Sequence, residues 1–232
     1  MKSKGQIFFP FRSENSGRFP LIVVSLIIIN IVVFVLELTG EQITVGVDSS
    51  TMQPIEIPKL IHDYGFVPAQ ASLFTALTSM FLHADPLHIF FNMWFLWIFG
   101  DNLENKLGKV FFPIFYLISG FLGTFVLYLT DPLSTIPTIG ASGAISGVLG
   151  AYIIFFPQTK IKSFGLPPFW GIYNLNAYLI IGVWFVFQLI FGILLTGESG
   201  IAYFAHIGGF VSGLLIAKFY LLIGSPKIQN QI

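Results

Sequence analysis

Uncharged apolar runs of near-membrane length recur along this chain, separated by short polar stretches. A helix crossing the hydrocarbon layer needs about 20 apolar residues. Runs of that kind cover about Phe19 to Leu38, Leu87 to Leu103, Phe111 to Leu129, Ala141 to Phe156, Leu175 to Leu195 and Ile201 to Ile223. The fourth is short and rich in small residues. The pattern predicts an all-α membrane protein, with six transmembrane helices over residues 19–223, a segment 1–18 before them and a tail 224–232 after them. Between the first two runs lies a long connection, about Thr39 to Pro86. Its apolar stretch, Ala71 to His83, is expected to lie in the membrane interface as a short amphipathic helix.

Composition agrees with that reading. Of the 232 residues, 55% are hydrophobic and 9% charged, against roughly a quarter charged in an ordinary soluble domain. So few charges would leave a soluble body of this size without a wettable surface. Net charge is +0, so there is no basic field for nucleic acid to follow. Cysteine is absent, which removes disulfides, thiolate metal sites and a cysteine nucleophile together. No metal or other cofactor is expected. The first run is too long for a cleaved signal peptide and no small-residue cleavage site follows it, so it is expected to remain as a signal anchor.

Lys and Arg concentrate in cytoplasmic loops, so their positions orient the spans. Lys2, Lys4, Arg12 and Arg18 precede the first run; Lys106 and Lys109 separate the second and third; Lys160 and Lys162 separate the fourth and fifth; Lys218 and Lys227 close the chain. All fall on one side. The other side holds Lys59 together with Glu41, Asp48, Glu56, Asp63, Asp85, Asp131 and Glu198. Both termini are therefore expected in the cytoplasm of a multi-pass protein of the plasma or inner membrane.

Polar residues inside a membrane are costly and mark function or helix packing. His88 and Asn92 occur as H-I-F-F-N in the second run, one turn apart on one helix face. Ser142 opens the fourth run in G-A-S-G, and His206 lies near the start of the last in A-H-I-G-G. These three runs all enter from the outside, so the four residues share one depth near the external face. Serine beside histidine supplies a nucleophile and the base that takes its proton. His88 and Asn92 are donors for the oxyanion that then develops. Small residues at Gly143, Gly147 and Ala151, and at Ala205, Gly209, Gly213 and Ala217, recur every fourth position, a pattern that lets helices approach closely in lipid. Contact along those stripes would bring Ser142 beside His206. Each residue taken singly has a plainer reading, Ser142 as a helix cap and the two histidines and Asn92 as interhelical hydrogen bonders.

On these residues the chain resembles the rhomboid family of intramembrane serine proteases. Its G-x-S-G appears as Gly140-Ala141-Ser142-Gly143, and its A-H-x-x-G-x-x-x-G as Ala205, His206, Gly209 and Gly213. The family's H-x-x-x-N corresponds to His88 and Asn92; His83 and the series Gly100, Glu104, Gly108 also look like family positions. The resemblance implies a six-span rhomboid-like bundle, with Ser142 as nucleophile, His206 as base, and His88 and Asn92 helping the Ser142 backbone N–H bind the oxyanion. His83 and Glu104 are read as structural. There are two departures. Many members carry an aromatic residue four positions after the serine to stack on the imidazole, where this chain has Ser146. Many also carry a Trp-Arg pair in the first external loop, and this chain has no arginine after Arg18.

The activity so implied is cleavage of transmembrane segments of other membrane proteins near the external leaflet. Counted from Ser142 to Phe156, the fourth run is only ~22 Å long at ~1.5 Å per residue, so its outer end would sit below the membrane surface. By family resemblance substrate enters between the second and fifth spans, where Trp94, Trp97, Trp184, Phe185 and Phe187 supply aromatic bulk. No acidic residue falls near His206, so a Ser–His dyad is expected. The alternatives are a rhomboid-like client-binding protein without catalysis, and a transporter. Against the latter, only Asn30 and Gln188 add notable polarity at mid-depth and no span is interrupted by Pro. The expected partners are transmembrane protein substrates and the bilayer; oligomeric state is not read from the sequence.

Overall fold

The computed structural model describes residues 8–13, 19–48, 51, 53–165, 170–194 and 202–224. Most of the expected N-terminal segment and tail, with Lys2, Lys4, Arg18, Glu198 and Lys227 and the predicted boundaries at Leu195 and Ile201, lie outside them. The bundle is helical, and every apolar run of the sequence lies in a helix, the second and third sharing one. The helices are α1 (Leu21–Thr39), α4 (Pro86–Thr130), α5 (Ser142–Phe155), α6 (Ala177–Leu194) and α7 (Tyr203–Leu222), with short α2 (Lys59–Tyr64) and α3 (Leu73–Thr78) between the first two. Among the described residues, α1, α4, α6 and α7 are long and apolar enough to cross a membrane, and α5 is shorter.

The second and third predicted spans form one continuous element, α4, of 45 residues. A straight helix of that length would run ~68 Å, more than twice the ~30 Å hydrocarbon core. Gly108 interrupts it with φ 84° and ψ 162°, a conformation open to glycine and not to residues with a Cβ. The chain folds back there, since a Cβ built on Gly100 would lie 3.7 Å from the ring of Phe112, whereas twelve helical residues span ~18 Å. Residues 86–107 and 109–130 are thus two antiparallel halves. Pro113 lies inside the second half, so this span does contain a proline. It stands five residues after Gly108, so the hydrogen bond it removes is the one to the Lys109 carbonyl, at the start of this half.

Some structure has no counterpart in the predicted pattern. In the long connection, β2 (Gln42–Val47) and β3 (Pro54–Pro58) pair as an antiparallel hairpin. The expected interfacial helix is confined to α3, capped by Ser72, and a 3-10 turn at Ser79–Phe81. At the other end of the bundle, β1 (Phe8–Ser13), β4 (Lys160–Gly165) and β5 (Gly171–Asn176) form an antiparallel sheet in the order β1-β4-β5.

Two carboxyl groups fasten the bundle. α1 begins at Pro20 without a side-chain cap of its own. Glu104 of α4 fills that role, its oxygens accepting the backbone N–H of Ile22 at 3.1 Å and of Val23 at 2.9 Å, which satisfies donors that a helix start leaves open. Near the other end of α1, buried Glu37 accepts the backbone N–H of His83 at 3.1 Å and so holds the segment entering α4. Asp85 then caps α4, accepting from Leu87 and His88, with Pro86 at the first helical position.

The core lies around α5, whose residues 144–152 are all buried. Burial this complete depends on its small residues. A Cβ on Gly209 would meet the Gly143 carbonyl oxygen at 2.0 Å, and one on Gly213 would meet the Gly147 oxygen at 1.9 Å. The expected contact between the two small-residue stripes is present, and it fixes α5 against α7 with almost no side chain between them.

Candidate active site

Ser142 is the first residue of α5. The preceding Gly140, at φ 120°, makes a turn that a residue with a Cβ resists, and its N–H donates to Ser79 O at 2.8 Å. Ala141 supplies no side-chain cap, and the Ile145 N–H donates to Ala141 O at 3.0 Å. The amides of Ser142 and Gly143 thus have no carbonyl one turn back within the helix. Together with the positive end of the helix dipole they make a donor site beside the serine hydroxyl.

His206 stands one turn into α7. Its Nε2 is 2.7 Å from Ser142 Oγ, and its Nδ1 is 2.8 Å from Gln188 Oε1 on α6. These contacts are mutually consistent: with the proton on Nδ1 donated to the amide oxygen, Nε2 keeps the lone pair that accepts the serine hydroxyl. Trp184 of α6 lies tilted at 36° with its ring centroid 6.2 Å from the imidazole, and Tyr203 stands edge-on at 6.5 Å.

The residues expected to meet an oxyanion are placed unequally. His88 packs across from Gly140, where a Cβ would fall 2.7 Å from His88 Nε2 and 3.6 Å from Ser142 Oγ. Ala84 N–H donates to His88 Nδ1 at 3.4 Å, which leaves the ring proton on Nε2, the nitrogen turned toward Gly140. Asn92 is buried and spends its amide on its own helix, Nδ2 donating to His88 O at 2.9 Å. Sequence spacing puts His88 and Asn92 on one face; it does not reveal that this rotamer turns the amide back along the helix.

Ser146, in the place of an aromatic residue, is buried and donates from Oγ to the Ser142 carbonyl at 2.6 Å. It faces along α5 and not toward His206. The partner of His206 that sequence reasoning missed is Gln188. Its signal was present, as one of two lone polar side chains at mid-depth. What it lacked was a direction, because nothing in the sequence of α6 tells how that helix is rotated.

His83, outside the spans, is buried, with its ring edge-on to His88 at 5.0 Å. Burial, and next the neighbouring His88, push the His83 imidazole down to about 3. It is neutral at ordinary pH and acts as a packing group. Among the described residues no group of His, Cys, Asp and Glu is arranged to hold a metal ion.

A family model described as the Rhomboid domain matches residues 70–223, which contain every residue of this site. The chain is 31% identical over 155 residues to RHOMBOID-like protein 6, mitochondrial, of Arabidopsis thaliana, covering 65% of this chain and 44% of that protein. It is 30% identical over 174 residues to RHOMBOID-like protein 7 of the same plant, covering 73% and 50%. Rhomboid protease GluP of Bacillus subtilis is 30% identical over 162 residues, covering 68% of this chain and 28% of that one. The aligned region is thus half or less of each of these relatives.

Proposed function

Because this chain belongs to the rhomboid family and is an integral membrane protein, we propose that it is a serine endopeptidase that cleaves transmembrane segments of other membrane proteins. The observation that carries the proposal is the 2.7 Å contact between Ser142 Oγ and His206 Nε2. A serine and an imidazole at that distance inside an apolar bundle have a chemical use that helix packing alone does not require.

In the proposed reaction Ser142 Oγ attacks the scissile carbonyl carbon while its proton passes to His206 Nε2. The carbonyl oxygen becomes an oxyanion against the Ser142 backbone N–H, with His88 Nε2–H as second donor. Asn92 joins only by turning its amide away from His88 O. Collapse breaks the C–N bond, and the imidazolium returns its proton to the departing amine. Water then hydrolyses the acyl-enzyme by the same steps, with His206 as base. Water reaches this depth because α5, with 14 residues, is only ~21 Å long against the ~30 Å core. The scissile peptide has to be extended, since helical carbonyls are already hydrogen-bonded, so substrates carrying Gly, Pro or polar residues near the outer end unwind most readily.

The proposed arrangement has six crossings, with the two halves of α4 counted separately and the Ser142 end external. Lys106 lies over the Phe155 ring at 5.6 Å, and β4 with Lys160 and Lys162 follows the same end of α5. Basic residues thus gather at the end opposite the serine, as cytoplasmic loops do. The experiment is cleavage of a model transmembrane substrate by the purified full chain in liposomes. The parent is expected to cleave at one site near the outer end of the substrate, and Ser142→Ala and His206→Ala are expected to be inactive. Cleavage by either variant at the parent rate would refute the proposal.

A further inference from the structure

A Ser–His pair works only while the imidazole keeps its Nε2 lone pair toward the serine, so some group has to hold the Nδ1 proton. Resting on the protease reading above, we propose that Gln188 is the positioning residue for His206: its side-chain oxygen accepts a hydrogen bond from Nδ1–H and thereby fixes the reactive tautomer and the plane of the ring.

The geometry is specific. The Nδ1···Oε1 distance is 2.8 Å, and it lies on the ring nitrogen opposite the one at 2.7 Å from Ser142. Among the described residues, the other side chains recorded against the imidazole do not provide this acceptor. Trp184 and Tyr203 meet it through their rings, at 6.2 and 6.5 Å between centroids. Ser146, at the position from which many family members stack an aromatic ring on the histidine, is committed to the Ser142 carbonyl. The orienting task left open on α5 is therefore taken up from α6.

Helix α6 makes the choice of residue notable. Its sequence is otherwise apolar apart from the Tyr178 phenol and the Trp184 indole, and only Ala177, Ile181 and Gly192 of it are buried. A primary amide in such a helix is costly in hydrocarbon unless it is hydrogen-bonded, so bonding to His206 satisfies the amide as well as the imidazole. An amide also differs from the carboxylate of a triad. It accepts the hydrogen bond from Nδ1–H without placing a full charge beside the imidazolium, so it sets direction more than basicity. Rotated by half a turn, the same amide would offer an N–H to Nδ1 and favour the wrong tautomer. A glutamate, with no amide N–H, does not have that second state when ionised.

The test compares full-length Gln188→Met, Gln188→Asn and Gln188→Glu with the parent in the liposome assay, measuring kcat and KM separately. Labelling of Ser142 by a serine-directed phosphonate reports on the nucleophile itself. Gln188→Met keeps the length and loses the acceptor; Gln188→Asn keeps the amide and loses the reach. For each, kcat is expected to fall roughly 10- to 100-fold with KM within about twofold, which at ~1.36 kcal/mol per decade is about 1.4–2.7 kcal/mol, the range of one lost hydrogen bond. The labelling rate is expected to fall in parallel. Gln188→Glu is expected to restore at least half of the parent kcat. Parent-like kcat in both Met and Asn variants overturns the proposal, as does an equal loss in all three. Ser142→Ala is run alongside: if it cleaves, the protease reading fails, whereas an inactive Ser142→Ala beside a fully active Gln188→Met removes only the role of Gln188.

Discussion

Gly213 of α7 lies so near Gly147 of α5 that a methyl group on it would come 1.9 Å from the Gly147 carbonyl oxygen. The obstacle is backbone, which has no rotamer with which to yield. The helices therefore have to part by more than an ångström to admit even alanine. Gly213→Ala is expected to destabilise the bundle by about 1–3 kcal/mol, the usual cost of overpacking. It is also expected to lower cleavage about 100-fold, because Ser142 and His206 ride on these two helices and an ångström of misplacement costs that much. Thermal unfolding in detergent and the liposome assay check the two effects; parent values for both would show that the stripes are not what sets the helix spacing.

Glu104 is a fastening at the opposite end from the serine. Its oxygens hold the N–H groups of Ile22 and Val23, which Glu104→Ala leaves open in a buried place. A stability loss of about 1–3 kcal/mol is expected, with kcat per folded molecule unchanged. If the unfolding midpoint stays where it is and kcat drops, Glu104 does something other than start α1.

The unequal placement of His88 and Asn92 gives an ordering. His88 faces Gly140 and the serine, whereas the Asn92 amide is bonded to His88 O. His88→Ala is expected to reduce kcat by about 10²- to 10³-fold, the range for a lost oxyanion donor. Asn92→Ala is expected to reduce it by about tenfold or less. The reverse order in steady-state kinetics would mean that Asn92 turns toward the substrate and His88 does not.

His83 gives a pH signature in stability. Its folded-state value is pushed down to about 3 by burial and then by His88, below the ordinary imidazole value of about 6.5. Between those values the unfolded state binds the proton and the folded state does not. His83 therefore costs nothing above pH ~6.5, and stability falls as pH drops from there toward about 3. Across that window the unfolding midpoint of His83→Gln is expected to fall less than that of the parent. Parallel curves would show that His83 takes up its proton without unfolding.

The apolar helices were legible because length and apolarity alone decide what hydrocarbon accepts, and the contact of Ser142 with His206 because the glycine stripes name the faces that touch. The fold-back at Gly108 was legible only as a gap between runs, since one glycine φ decides whether two runs make two helices or one bent element. The β2–β3 hairpin and the β1-β4-β5 sheet lie in connections whose apolar residues do not alternate over enough positions to declare strands. Glu37 and Glu104 bond backbone amides distant in sequence, and such partners leave no local pattern. Gln188 is the sharpest case: its chemistry was visible, and its contact depended on the rotation of a helix that is apolar on every side.

The central claim is that His206 makes Ser142 a nucleophile. Intact-mass and peptide mass spectrometry after treatment with a serine-directed phosphonate tests it without any knowledge of the natural substrate. The parent is expected to gain one adduct, on Ser142, and His206→Ala is expected to gain none over the same time. An adduct on Ser142 that forms equally fast without His206, or labelling that leaves Ser142 untouched in the folded parent, would contradict the account.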